Sequence, residues 1–114
     1  VHHLHGIMLT ISGEHGPQYV RSTDVLYIEV QNHSLIYHTQ YSDLTATGTL
    51  KRVENQLAEE GFFRCNYCYL VNLRHVDFLD GNTVMVGGHP LQISRNRRKD
   101  FLQQMTGFYG KGGR

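Results

Sequence analysis

Apolar and polar residues along this chain alternate, or the apolar ones gather in short runs, over most of its length. That is the period of strands. Residues 7–11, Ile-Met-Leu-Thr-Ile, form such a run, ended by Gly13-Glu14-His15-Gly16-Pro17, and residues 18–21 return as its hairpin partner. Residues 25–30 predict a stronger strand, dense in β-branched and aromatic side chains. Asn32-His33 reads as a turn. Residues 34–39 come back as a strand in which Leu35 and Tyr37 alternate with Ile36 and His38, and residues 44–47 add a further short one.

The period then changes. Leu50, Val53 and Leu57 fall on one face, with Lys51, Arg52, Glu54, Asn55, Glu59 and Glu60 on the other, which predicts an amphipathic helix. Thr49 is placed to cap its start, and Gly61 to stop it as the C′ residue. Strands resume over residues 63–71, 76–79 and 83–86, with Asp80-Gly81-Asn82 as a tight connection. Gly87-Gly88-His89-Pro90 turns the chain into a short strand at residues 91–93. Ser94 then caps a last helix from Arg95 to about Met105, expected to bury Phe101, Leu102 and Met105. Residues 106–114, rich in glycine, read as a flexible tail, and residues 1–6 as a linker or expression remnant. The sum is a mostly β domain with two short helices.

One stretch does not fit a plain core strand. Gly61-Phe62-Phe63-Arg64-Cys65-Asn66-Tyr67-Cys68-Tyr69-Leu70-Val71-Asn72-Leu73 mixes aromatics with Arg64, Asn66 and Asn72. A polar group buried without a hydrogen bond costs a few kcal/mol, about 2–7 by transfer scales, so these three are either satisfied internally or face a partner. The expectation is that Arg64 and Asn72 tie neighbouring loops, leaving a bend at Asn66-Tyr67 to face outward.

Length and composition narrow the class. With 114 residues, 39% hydrophobic and 18% charged, the chain suits one folded domain. No apolar run approaches the ~20 residues of a membrane span. Two cysteines are too few for a disulfide scaffold, so a reducing cytoplasm is the expected setting. The net charge of +1 conceals an asymmetry: residues 91–114 carry six Lys/Arg against Asp100 alone, and the remainder is acidic. A local anionic partner is implied.

The last helix concentrates that charge. Arg95, Arg97, Arg98 and Lys99 crowd its first turn, where exposed backbone N–H groups already make cations unfavourable by roughly 0.3–1 kcal/mol each. Such a helix start suits phosphate. Cys65 and Cys68 lack the second ligand pair that a structural zinc needs, and residues three apart on a strand point to opposite faces, so two packed thiols are expected. No nucleophile elbow, P-loop or HExxH is present. The expectation is a non-enzyme without metal or cofactor.

Taken in order, the Asp24-Val25-Leu26-Tyr27-Ile28-Glu29 strand, the strand ending in His38-Thr39, the helix opened by Thr49-Leu50, the block Gly61-Phe62-Phe63-Arg64 with Tyr69-Leu70-Val71-Asn72, and Ile93-Ser94-Arg95 resemble the LytTR family of DNA-binding domains. The likeness spans residues 7–105. It departs from the family at Asn66-Tyr67-Cys68, where His-x-Ser is common, which leaves open the DNA sequence read by this segment. The resemblance implies an elongated arrangement of small β-sheets that enters DNA with loops, as the output domain of a bacterial response regulator in a two-component system.

Carried over by position, the resemblance implies base-reading places at His33, Tyr67 and Arg95, with Asn32, Asn66, Asn96, Arg98 and Lys99 as phosphate contacts. Arg95 has the best chemistry, since a guanidinium fork can grip O6 and N7 of guanine. The implied partner is double-stranded DNA, as repeated half-sites bound by two copies, with an upstream receiver or sensor domain outside these residues. Two other classes stay open on the residues alone. One is a β-rich interaction module whose basic helix start docks acidic or phosphorylated partners; the other is a thiol sensor using Cys65 and Cys68.

Overall fold

Every residue from Val25 to Ile28 is buried, and the reason is topological. In the computed structural model, which describes residues 6–110, the strands are β1 (Met8–Gly13), β2 (Gly16–Arg21), β3 (Val25–Gln31), β4 (Ser34–Thr39), β5 (Asp43–Thr47), β6 (Phe62–Asn66), β7 (Tyr69–Asn72), β8 (Val76–Asp80), β9 (Thr83–Val86) and β10 (His89–Gln92). Helix α1 (Leu50–Gln56) lies between β5 and β6, and α2 (Arg95–Gly110) follows β10. The central antiparallel sheet runs β5-β4-β3-β7-β6, beside a β1-β2 hairpin and a β10-β9-β8 sheet. Strands β3 and β7 are therefore covered on both faces. Ile28 and Leu70, opposite each other, join one core with Leu9, Ile11, Leu35, Val53 and Leu57. Tyr27 and Val71, the next pair along, join a second core with Val84, Ile93 and Phe101. The mostly β fold with two helices and small sheets is thus as expected, although the extents of 39 × 37 × 24 Å describe a flattened slab, long in two directions.

Polar residues lace this frame together. His38 bridges Glu29 on β3 and Asp43 on β5 at 2.9 and 3.0 Å. Asn72, only 1% exposed, donates to the carbonyls of Ser22 (3.2 Å) and Val25 (2.9 Å) and accepts from the Arg74 amide at 3.3 Å. The expectation that Asn72 ties neighbouring loops holds.

Several boundaries move. Thr49 does cap α1, its hydroxyl accepting from the Arg52 amide at 3.2 Å. Gly61, however, is not the helix's C′ residue. The helix ends at Gln56, and buried Leu57 pulls residues 57–60 into tighter turns, with Ala58 and Glu60 bonding three residues back. Gly61 instead opens β6 with a φ of 80°, beside the Phe108 ring. The long strand expected over residues 63–71 is a hairpin, broken at Tyr67-Cys68. The turn expected over residues 87–90 needs only Gly87 and Gly88, both at positive φ (54° and 85°), so β10 starts at His89.

The last helix is longer than its pattern predicts. It continues through Gly110 because Phe108 packs on the second core and the Tyr109 hydroxyl donates to the Leu73 carbonyl at 2.7 Å. The flexible tail expected from residue 106 is therefore helix as far as 110. Phe101 is fully buried as expected, whereas Leu102 and Met105 are half-buried. The expected linker or remnant, apart from Gly6, and residues 111–114 lie outside the described residues.

Candidate nucleic-acid interface

The β3–β4 connection is a two-residue turn. Gln31 pairs with Ser34, leaving Asn32 and His33 exposed at the tip. Asn32 sits at a φ of 58°, a conformation that asparagine tolerates better than most side chains. The β6–β7 connection is equally short: Asn66 pairs with Tyr69, and Tyr67, 74% exposed, stands at the tip. These two tips, distant in sequence, flank one open depression of about 530 Å³. Val30, Gly48, Thr49, Leu50, Lys51 and Arg64 complete its lining.

Two of the three expected base-reading positions, His33 and Tyr67, are thus brought together with Asn32. Arg95 does not line that depression. It begins α2, whose head is fastened to β6 by a bond of 2.9 Å from the Ser94 amide to the Cys65 carbonyl. The Ser94 hydroxyl also donates to that carbonyl, at 3.5 Å. Arg95, Asn96 and Lys99 are exposed on the helix start, with Arg97 half-buried beside them.

Two of the expected phosphate contacts are occupied inside the protein. The Asn66 carboxamide donates to the Gln92 carbonyl (2.6 Å) and accepts from the amides of Cys68 (2.6 Å) and Tyr69 (3.2 Å). It braces the turn. Arg98 donates to the Asn82 side chain (2.8 Å) and the Gly81 carbonyl (3.1 Å), tying α2 to the β8–β9 turn.

Sequence reasoning missed Lys51 and Arg64 as neighbours of the site. Lys51 was hidden because a lysine on the polar face of a short helix reads as solvated. For Arg64 the sequence carries a signal, a cation within an apolar stretch, but one that points equally to a loop tie. It is that as well, donating to Glu54 at 3.1 Å and to the Tyr67 carbonyl at 3.2 Å.

The thiols are separated by the hairpin. Cys65, at an irregularity in β6, is fully buried near the Gln92 carbonyl, and burial pushes its pKa up to about 12. Cys68 is half-buried in the turn; both are free. Among the described residues no three His, Cys, Asp or Glu side chains are grouped to hold a metal. Alkylation of the folded protein at pH 8 should therefore label Cys68 alone, with Cys65 reacting only after unfolding. Equal labelling of both by peptide mass mapping would contradict the buried, protonated state of Cys65.

The model of the LytTr DNA-binding domain family matches residues 18–106, most of the chain. The chain belongs to the LytTR family of DNA-binding domains. No curated protein matches it. Among solved structures it is similar to the LytTr DNA-binding domain of a Bacillus cereus protein described as a methyl-accepting/DNA response regulator, with a TM-score of 0.75 and 19% identity. That likeness covers 86% of this chain and 95% of the other, and at this identity it speaks for the fold. The LytTR family is defined by binding DNA, not by catalysis. No described helix is long and apolar enough to cross a membrane.

Proposed function

We propose that this LytTR domain binds duplex DNA sequence-specifically, as the output half of a transcriptional regulator. The observation that carries this reading is the meeting of the His33 and Tyr67 turn tips at one open depression that also holds Lys51 and Arg64. A groove edge offers acceptors and phosphates, and this surface offers imidazole, phenol and two cations. His33 and Tyr67 contact one segment of the site, and Arg95 reads guanine at another. Asn32, Asn96 and Lys99 supply phosphate contacts, with Lys51 added, while Asn66 and Arg98 act by holding the two patches in shape.

With a net charge of +1, one copy makes few phosphate contacts and its affinity falls only modestly with salt. Two copies on repeated half-sites then supply useful affinity, under control of a receiver or sensor domain in a cytoplasmic two-component system. Arg95→Ala is expected to weaken binding to the selected duplex by about 1–3 kcal/mol and to relax preference at one guanine. The experiment is selection from random duplexes, followed by fluorescence anisotropy of parent and variant across salt. Unchanged affinity in the variant would remove Arg95 from the reading. Failure of the parent to enrich any duplex would remove the reading itself.

A further inference from the structure

We infer that Arg64, held by Glu54, is a positioning residue that sets the conformation of the Tyr67 turn and thereby its share of base preference. The inference rests on the DNA-binding reading above; it gives a role to Glu54, which that reading leaves unexplained, and makes Arg64, which it counts only as a cation of the site, a brace for the turn. Arg64 leaves β6 toward α1, where its Nε donates to Glu54 Oε1 at 3.1 Å. The same guanidinium sends Nη1 to the Tyr67 carbonyl at 3.2 Å. The Arg64 side chain is only 12% exposed, and that of Glu54 29%. One rigid planar group thus joins the helix, the strand and the outward turn. Asn66 holds the amide side of that turn, so the Tyr67 carbonyl is the part left for Arg64 to fix.

The chemistry of the guanidinium matters here. Its donors diverge in a fixed plane, so one end can be anchored while another reaches a second acceptor. A lysine ammonium is a single point of charge on a flexible stem and cannot hold both acceptors in that geometry. Freed, the exposed Tyr67 carbonyl would find water at little cost in stability. The turn would then sample more conformations, and preference would fall before stability did. A direct phosphate contact by Arg64 leads elsewhere: a lysine would largely replace it, and its removal would weaken all sequences alike.

The test measures binding of the whole chain to its selected duplex and to every single-base variant of it, across salt. The proteins are the parent, Tyr67→Ala, Arg64→Lys, Glu54→Ala and Glu54→Gln. The loss of preference in Tyr67→Ala marks the bases that the turn serves. Arg64→Lys should lose preference at those same bases by about three- to tenfold, with the salt slope unchanged. Glu54→Ala leaves the Arg64 charge in place but unanchored and should repeat that pattern, which keeps the test decisive if Arg64→Lys melts early. Glu54→Gln retains an acceptor for Nε and should resemble the parent. A parent-like profile in both Arg64→Lys and Glu54→Ala overturns the inference. So does a uniform loss with a salt slope lower by about one, or a Tyr67→Ala variant without any base-specific loss. A parent that binds no duplex overturns the functional reading instead.

Discussion

Phe101→Ala should lower the free energy of unfolding by about 3–5 kcal/mol, the range for a large aromatic removed from a closed core. Phe101 is fully buried in the middle of α2, its ring 6.4 Å from that of Phe63, within the second core. The cavity cannot close easily, because the helix is held at its head by Ser94 on β6 and near its end by Tyr109 on Leu73. Domains of this size hold roughly 5–15 kcal/mol in all, so the variant should give up a large share of its stability. Urea denaturation followed by circular dichroism measures the loss, with Leu102→Ala, a half-buried neighbour, expected to cost much less. A loss for Phe101→Ala below about 1 kcal/mol would mean that α2 is not docked as described. Since α2 also presents Arg95, the same variant should lose DNA binding in step with its fold.

The second large effect is expected at Asn72→Leu, at about 2–4 kcal/mol. The branched shape and the number of side-chain heavy atoms are kept, so the main penalty falls on hydrogen bonding: two carbonyl acceptors, of Ser22 and Val25, lose a buried donor, and the Arg74 amide loses its acceptor. A buried group left short of a partner costs about 1–3 kcal/mol, partly offset here because the Ser22 carbonyl keeps the Val25 amide. The same denaturation experiment reports it. A neutral or stabilising result would show that water or relaxation replaces all three bonds.

Asn72 also illustrates what could be read from the residues. A polar side chain after the apolar Tyr69-Leu70-Val71 run demands internal partners, and it has them. β3 was legible as a strand in its β-branched and aromatic residues, and the α1 cap in Thr49. Boundaries set by tertiary contact were not legible. Nothing local says that α2 outlasts Met105; Phe108 and Tyr109 decide it by reaching Gly61 and Leu73. Nor could spacing reveal that Asn66 turns inward while Tyr67 beside it turns outward, because that depends on the Gln92 carbonyl arriving from another sheet. The site was legible as positions and not as roles. His33 and Tyr67 meet, Arg95 stands apart, and Asn66 and Arg98 are engaged inside.

Asn66 and Ser94 have one more consequence when taken together. The first fastens the Tyr67 turn to the residue ahead of Ile93, and the second fastens the head of α2 to the neighbouring residue of β6. Both patches proposed to read DNA therefore hang from a single strand, like the jaws of a calliper locked at one opening. One inserted base pair shifts the contacts by about 3.4 Å along the duplex, more than a hydrogen-bonded frame can stretch. The DNA would have to bend or twist to meet the jaws, and the ease with which it does so depends on steps that no side chain touches. Part of this domain's preference would then reside in the stiffness of the spacer between its contacts.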